Sequence, residues 1–238
     1  MLPILRLAAL IWLATGPAEA ACRIALVLGL DVSASVDAEE YRLQAEGTAA
    51  ALTSRRVEQS LLEGAPVAVA AFTWSGPEDQ ALIADWVLID SRPALYMLAA
   101  RIASFPRPDA TSRRTATGSA MLYARSLLDR APVCDRQVMD LSTDGTFNSG
   151  PAPEEVRHLP EFAATTVNAL AVAGGQVPDW RDDADPATAL AVYLEARVIH
   201  GPDAFVEQAE NYADFARAMT RKLEREVQGV LLGALTPG

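Results

Sequence analysis

The feature that most constrains the fold is a continuous aliphatic run, RIALVLGLD, from Arg23 to Asp31, which is followed by short polar residues. Such a run is typical of a strand buried on both faces, because a strand with one solvated face alternates apolar and polar residues. Further strand-like segments follow at residues 65–74, 81–89, 136–145 and 165–175. Strands of this kind need cover on both sides, which the intervening segments must provide.

Those intervening segments have the spacing and end signals of helices, most clearly at residues 36–54, 92–105, 119–131 and 203–227. Alternating strands and helices predict an α/β fold, a doubly wound and mostly parallel sheet with helices on both faces. The turn SGPEDQ joins residues 65–74 to 81–89, which predicts a hairpin and hence one antiparallel edge strand. The segment RVIHG, at residues 197–201, is predicted to be a short edge strand.

The amino terminus has the pattern of a secretory signal peptide. Arg6 precedes an apolar run, and small residues at Ala18 and Ala20 form an A-x-A cleavage site. We expect residues 1–20 to be removed and residues 21–238 to form a single domain that is periplasmic or extracellular, without membrane insertion. The alternative is a lipoprotein signal with Cys22 as the acylated residue, but Glu19 stands where that signal needs an aliphatic residue.

The charge of the chain excludes some partners. The formal net charge is -11 over 238 residues. Nucleic-acid binding needs a basic surface that displaces phosphate counterions, so nucleic acid is not expected as a partner. The same acidic balance disfavours an anionic membrane surface.

Short oxygen-bearing side chains gather where ligand sites of doubly wound folds lie, beyond the carboxyl ends of strands. The first strand ends in DVSAS, another ends in STDG, and TATG precedes a helix. All the donors are hard oxygens, without histidine or cysteine. This set suits Mg²⁺, with Mn²⁺ or Ca²⁺ as alternatives, rather than zinc or copper.

These three motifs resemble the metal-ion-dependent adhesion site of von Willebrand factor A domains. That site combines an Asp-x-Ser-x-Ser motif, a separate threonine and an aspartate that usually precedes glycine. The resemblance implies the metal ligands Asp31, Ser33, Ser35, Thr115 and Asp144, with Thr115 preferred over Thr117 because it lies three residues before Gly118. FTWSGPEDQ and the segment from Val198 to Leu223 further resemble a bacterial group of exported A-domain-like proteins of unknown function.

The resemblance implies a binding module rather than an enzyme. In this family a carboxylate from an Asp or Glu of a protein partner completes the coordination of the ion. The alternative is a metal-dependent hydrolase of phosphate esters. Such enzymes have Asp-x-Asp, whereas Ser33 stands two residues after Asp31. The two histidines, His158 and His200, support no Ser-His-Asp arrangement and are expected to be structural or surface residues.

The two cysteines can be placed relative to the proposed site. Cys22 lies nine residues before Asp31 and Cys134 ten before Asp144. If both aspartates meet at one ion, and their strands are parallel neighbours, the cysteines meet at the opposite end of the sheet. We therefore predict a Cys22–Cys134 disulfide, with two free thiols as the alternative.

Two further acidic features have simpler interpretations. Asp37 is predicted to cap the helix that follows it, with Glu40 completing a capping box. The acidic segment from Pro178 to Pro186 lacks the glycine and terminal glutamate of an EF-hand loop, and a solvated loop is favoured over a calcium site.

Overall fold

The central element is a six-stranded sheet with the strand order β3-β2-β1-β4-β5-β6. The structure is a computed structural model, and it describes residues 22–109, 112, 114–174 and 186–233. The strands are β1 (Cys22–Asp31), β2 (Val67–Trp74), β3 (Gln80–Ile89), β4 (Cys134–Thr143), β5 (Thr165–Val172) and β6 (Val206–Ala209). All neighbours pair in parallel except β2 and β3, which form an antiparallel hairpin.

Helices cover both faces of the sheet. They are α1 (Ala38–Leu52), α2 (Arg55–Leu62), α3 (Arg92–Ser104), α4 (Thr117–Leu128), α5 (Pro153–Val156), α6 (Pro186–Arg197) and α7 (Phe215–Gly233). One apolar cluster joins the sheet to α1, α2, α3 and α7, and a second joins it to α4, α5 and α6. The predicted α/β fold with one antiparallel edge strand is confirmed.

Two local predictions near the carboxyl terminus are wrong. The segment at residues 197–201 is not a strand, because α6 continues to Arg197 and His200 makes a single isolated bridge to Val167. Gly201 and Asp203 then have φ angles of 90° and 57°, which turn the chain before β6 can form.

The long helix predicted from residue 203 begins only at Phe215. Asn211 has extended backbone angles, and its side chain accepts a hydrogen bond from the Asp214 amide, which starts a new helical turn there. Sequence reasoning also missed α2 as a separate helix after the break at Ser54.

The predicted disulfide is confirmed. Cys22 and Cys134 face each other across the parallel pair of β1 and β4, with their Cα atoms 4.5 Å apart and their sulfurs bonded. The bond joins residues separated by 112 positions and ties the start of β1 to the start of β4. It lies at the opposite end of these strands from Asp31.

A second polar feature of the interior is an ionic cluster between α7 and the sheet. The ammonium group of Lys222 lies 2.6 Å from Asp140 Oδ1 on β4 and 2.7 Å from Glu226 Oε1 on α7. Lys222 is fully buried, and the two carboxylates are nearly so. Because an unpaired buried charge is costly, these three groups must stay paired. Their pairing holds α7 in a fixed position against the sheet.

We expect the double substitution Cys22→Ser with Cys134→Ser to lower the free energy of unfolding by about 3–5 kcal/mol, because the long loop is no longer closed in the unfolded chain. Urea denaturation followed by circular dichroism measures this change. A reductant should destabilise the wild type to the same extent and leave the double variant unaffected. Equal stability of oxidised wild type and variant would contradict the prediction.

Candidate functional site

The candidate site lies at the carboxyl edge of the sheet, where β1 and β4 end side by side. Leu30 pairs with Ser142 in this ladder, so the next residues of the two strands, Asp31 and Thr143, emerge together and Asp144 follows. Ser33 and Ser35 lie in the tight turn between β1 and α1, in which the Val36 amide donates to the Ser33 carbonyl. The strand order therefore brings two distant polar motifs to one place.

Hydrogen bonds join four of the five predicted residues. Asp31 Oδ1 accepts from the Ser33 amide at 2.7 Å. The hydroxyls of Ser33 and Ser35 are 3.3 Å apart, and the Ser35 hydroxyl donates to Asp144 Oδ1 at 2.7 Å. Asp31, Ser33 and Asp144 are buried, whereas Ser35 is exposed at the surface.

Thr115 reaches the same place from the loop before α4. Its amide donates to Asn148 Oδ1 at 3.0 Å, and the Asn148 amide donates back to the Thr115 carbonyl at 3.0 Å. Thr115 and Ser35 line one open cleft of about 610 Å³, together with Gly145 and Asn148. Thr117, the alternative to Thr115, is buried in the first turn of α4 and does not line this cleft.

The two carboxylates are unfavourably placed without a cation. Burial, and then the nearby charge of Asp144, raise the pKa of Asp31 to about 7, although hydrogen bonds from Thr143 and Ser33 oppose the shift. Burial also raises the pKa of Asp144, against the hydrogen bond from Ser35. Two acidic groups that resist ionisation at one buried site form a place where a positive charge is stabilised.

One carboxylate oxygen of this site is poorly satisfied. Asp144 Oδ2 is buried and accepts no hydrogen bond of good geometry from the described residues, although the neighbouring Tyr212 hydroxyl is close enough to lower the pKa of Asp144. A buried carboxylate oxygen without a donor is costly unless a ligand satisfies it. The poorly satisfied oxygen, the adjacent hydroxyls and the raised pKa values fit a hard divalent cation.

The site has few acidic groups. Within the described ranges, no group of three or more His, Cys, Asp or Glu residues is arranged to hold a metal ion. A metal at the carboxyl edge must therefore depend on hydroxyl oxygens as well as on its two carboxylates. Hydroxyl and carboxylate oxygens suit Mg²⁺, Mn²⁺ or Ca²⁺ better than soft metals.

Sequence reasoning missed three residues that hold the site in shape. The Thr143 hydroxyl donates to Asp31 Oδ2 at 2.6 Å. Gln44 on α1 donates to the Asp31 carbonyl at 2.8 Å and accepts from the Ser142 hydroxyl at 2.7 Å, so it bridges β1 and β4. Arg107 donates to the carbonyls of Val32 and Val36 at 3.1 and 2.9 Å, on either side of the two serines.

The other polar features noted in the sequence lie apart from the cleft. His158 and His200 face each other edge to face, with their ring centres 6.1 Å apart, and neither lines the cleft. Asp37 and Glu40 form the predicted capping box of α1, in which each side chain accepts from the other's amide. The acidic segment from Pro178 lies outside the described residues as far as residue 185.

Comparison with solved structures defines the class of fold. The proximal thread matrix protein 1 of the mussel byssus superposes with a TM-score of 0.56 at 15% identity, over 86% of this chain and 48% of that chain. A von Willebrand factor type A protein from Catenulispora acidiphila gives 0.56 at 17% identity, over 87% and 43%. The D319A mutant of the PilB minor pilin from Streptococcus sanguinis gives 0.61 at 14% identity, over 94% and 65%. The chain thus has a von Willebrand factor A-like fold.

The family follows from the sequence itself. Residues 21–231 match the family described as protein of unknown function (DUF1194), and the chain belongs to that family. A comparison with curated protein sequences finds no match. The chain spans about half the length of the mussel protein, so the likeness covers one part of that molecule.

A close backbone contact explains the glycine that opens α4. A Cβ atom on Gly118 would lie 2.1 Å from the Pro151 carbonyl oxygen, in the loop that also carries Asn148. Residues with a side chain do not fit there unless the loop moves. Gly118 therefore lets α4 approach the loop whose Asn148 holds the backbone of Thr115.

We expect Gly118→Ala to lower the free energy of unfolding by about 1–3 kcal/mol, because the added methyl group must displace backbone. Gly145→Ala is the matched control, since its Cβ would meet its nearest neighbour, Thr115 Oγ1, at an ordinary 3.6 Å. Thermal unfolding of the two variants measures the difference. Equal melting temperatures for both would show that the close approach has no energetic consequence.

Proposed function

We propose that this protein is an exported, metal-dependent protein-binding module. Asp31, Ser33, Ser35, Thr115 and Asp144 hold a divalent cation, with Mg²⁺ preferred over Mn²⁺ and Ca²⁺. A protein partner presents an Asp or Glu carboxylate that completes the coordination. The observation that carries this proposal is the hydrogen-bonded set at the carboxyl edge of the sheet, in which Ser35 joins the two halves through Asp144 at 2.7 Å.

The hydrogen bonds indicate different roles for the proposed ligands. Both oxygens of Asp31 already accept hydrogen bonds, from Ser33 and Thr143, which fix the orientation of this carboxylate. The serine hydroxyls and Asp144 Oδ2 have acceptor capacity left for an ion. When bound, the ion supplies a positive charge at the mouth of the cleft, to which an outside carboxylate is attracted.

A relative with a metal in this kind of site supports the proposal. A structure of the mussel matrix protein, with 14% identity and a TM-score of 0.53, has a zinc-occupied metal-ion-dependent adhesion site. The donors present here are all oxygens, which favours Mg²⁺ as the ion of this chain. The proposal is a binding function, and neither a histidine nor a lysine is among the described residues that line the cleft.

Export is part of the proposal. Residues 1–20 form the signal peptide, and residues 21–238 form one von Willebrand factor A-like domain that is periplasmic or extracellular. The Cys22–Cys134 bond supports this compartment, because disulfides persist where the environment is oxidising. None of the described helices combines the length and the apolar character that a membrane crossing requires.

We expect isothermal titration calorimetry to detect Mg²⁺ binding to the wild type and a loss of at least about tenfold in affinity for Asp31→Ala and for Asp144→Ala, because each variant removes a negative charge from the buried site. Thr115→Val should weaken binding while Thr117→Val should not. This pair separates the two candidate threonines, since Thr117 does not line the cleft.

Asp37→Ala is the control for the metal titration. Asp37 lies in the same segment but caps α1, so its loss should cost about 1 kcal/mol of stability and leave metal affinity unchanged. Unchanged Mg²⁺ affinity in Asp31→Ala would show that the site has been assigned to the wrong residues.

We expect a pull-down from the exported proteome to capture a partner on the wild type in Mg²⁺, and EDTA or Asp144→Ala to abolish the capture. Replacing the partner's critical Asp or Glu by its amide should have the same effect. Capture that survives EDTA would contradict a metal-bridged contact. Mg²⁺-dependent hydrolysis of a phosphate ester by the wild type but not by Asp31→Ala would instead establish the hydrolase alternative.

A further inference from the structure

A second pocket lies towards the opposite end of the sheet from the candidate metal site. Its volume is about 230 Å³, and it is lined by residues near the starts of β4 and β5, by the loop before β6 and by α7. The residues that matter here are Arg136, Asn168, Asp203, Phe205, Arg225 and Glu226. Neither the family match nor the proposed metal site gives this pocket a role.

Glu226 offers this pocket a buried carboxylate with unused capacity. The residue is 5% exposed. Its Oε1 atom accepts from Lys222 Nζ and from Asn168 Nδ2, both at 2.7 Å. Its Oε2 atom is buried and has no hydrogen-bond partner among the described residues. A donor from outside would satisfy this oxygen.

The charge behind Glu226 is also unbalanced. Asp140 and Glu226 share the single ammonium group of Lys222, at 2.6 and 2.7 Å, so the buried cluster has one negative charge in excess when both carboxylates are ionised. Burial, and then the charge of Glu226, raise the pKa of Asp140 to about 7. Arg136, Arg225 and Asp203 also line this pocket, so the excess is that of the Lys222 cluster alone, and an ammonium group bonded to Glu226 Oε2 would offset it.

A free positive charge lines the same pocket. Arg136 is half-buried, and its side chain makes no hydrogen bond or ion pair with any described residue, so it is not paired with Glu226. Arg225, by contrast, is engaged, because its guanidinium lies 3.8 Å from the centre of the Phe205 ring. Arg136 and Glu226 are thus opposite charges that face one cavity without pairing.

The cavity is smaller than the usual range of about 300–1,000 Å³ for sites that hold drug-sized ligands. Size and charge together describe a site for a small polar molecule.

We propose that this pocket binds a small zwitterion the size of an amino acid, with its ammonium group on Glu226 Oε2 and its carboxylate on Arg136. The ammonium group satisfies the free oxygen and offsets the excess buried charge. The carboxylate pairs with the guanidinium that has no internal partner. Phe205 and Arg225 form the wall beside the ligand.

The test is calorimetry and thermal unfolding of the mature, oxidised protein with each of the common amino acids, up to about 10 mM because small polar ligands bind weakly. The tightest ligand is then compared with its decarboxylated amine and its deaminated acid. Each of these two should bind at least about tenfold more weakly, because each lacks one charge-assisted contact. Failure of every amino acid to bind, or an amine that binds as tightly as its amino acid, would overturn the proposal.

Variants assign the two contacts. Arg136→Met should lower the affinity for the amino acid by about tenfold or more and leave the affinity for the amine unchanged. Glu226→Gln should lower the affinity for both. Glu224→Gln is the control on α7, because Glu224 faces Arg56 rather than the pocket. If Glu226→Gln fails to fold, Arg136→Met still decides, since the Arg136 side chain has no hydrogen bond or ion pair with a described residue to lose. Equal amino acid affinity for Arg136→Met and the wild type would overturn the assignment.

Discussion

The parallel pairing of β1 with β4 is the constraint on which the rest of the structure depends. A single register sets Cys22 opposite Cys134 at one end and Leu30 opposite Ser142 at the other. The first pairing permits a disulfide, and the second places Asp31 beside Thr143 and Asp144. A shift of one residue would turn every side chain of one strand to the opposite face of the sheet. The covalent bond and the polar site therefore require the same alignment.

That alignment has an electrostatic consequence. It buries two carboxylates near each other in a protein interior, where repulsion is stronger than in water and hydration is lost. The surrounding hydrogen bonds lower the cost without removing it, since the pKa values of Asp31 and Asp144 remain raised. A fold that retains such a pair at the end of its central strands favours the binding of a cation there.

The sequence predicted the features that arise from local pattern or from strand order. Aliphatic runs identified the buried strands, and the positions of the two cysteines relative to the two aspartates predicted the disulfide. What it missed arises from contacts between distant residues. Gln44 and Arg107 act through backbone carbonyls of the site, which leave no motif in the sequence. The strand β6 was missed because its four residues lie inside the segment predicted as one long helix. Gly201 and Asp203, the two residues with positive φ, place the edge strand after the predicted one.

The alternation of residues along β4 connects the two polar regions of the molecule. Met139 and Leu141 face the apolar cluster with α4, whereas Asp140 and Ser142 lie on the opposite face and Asp144 follows directly after the strand. Each of these three has a partner on another element: Lys222 for Asp140, Gln44 for Ser142 and Ser35 for Asp144. A buried polar row is stable only when its members are satisfied. Among the described residues, Asp140 Oδ2, Asp144 Oδ2 and Glu226 Oε2 are buried carboxylate oxygens without a hydrogen-bond donor of good geometry. The two proposals place a ligand from outside on the second and on the third of these oxygens.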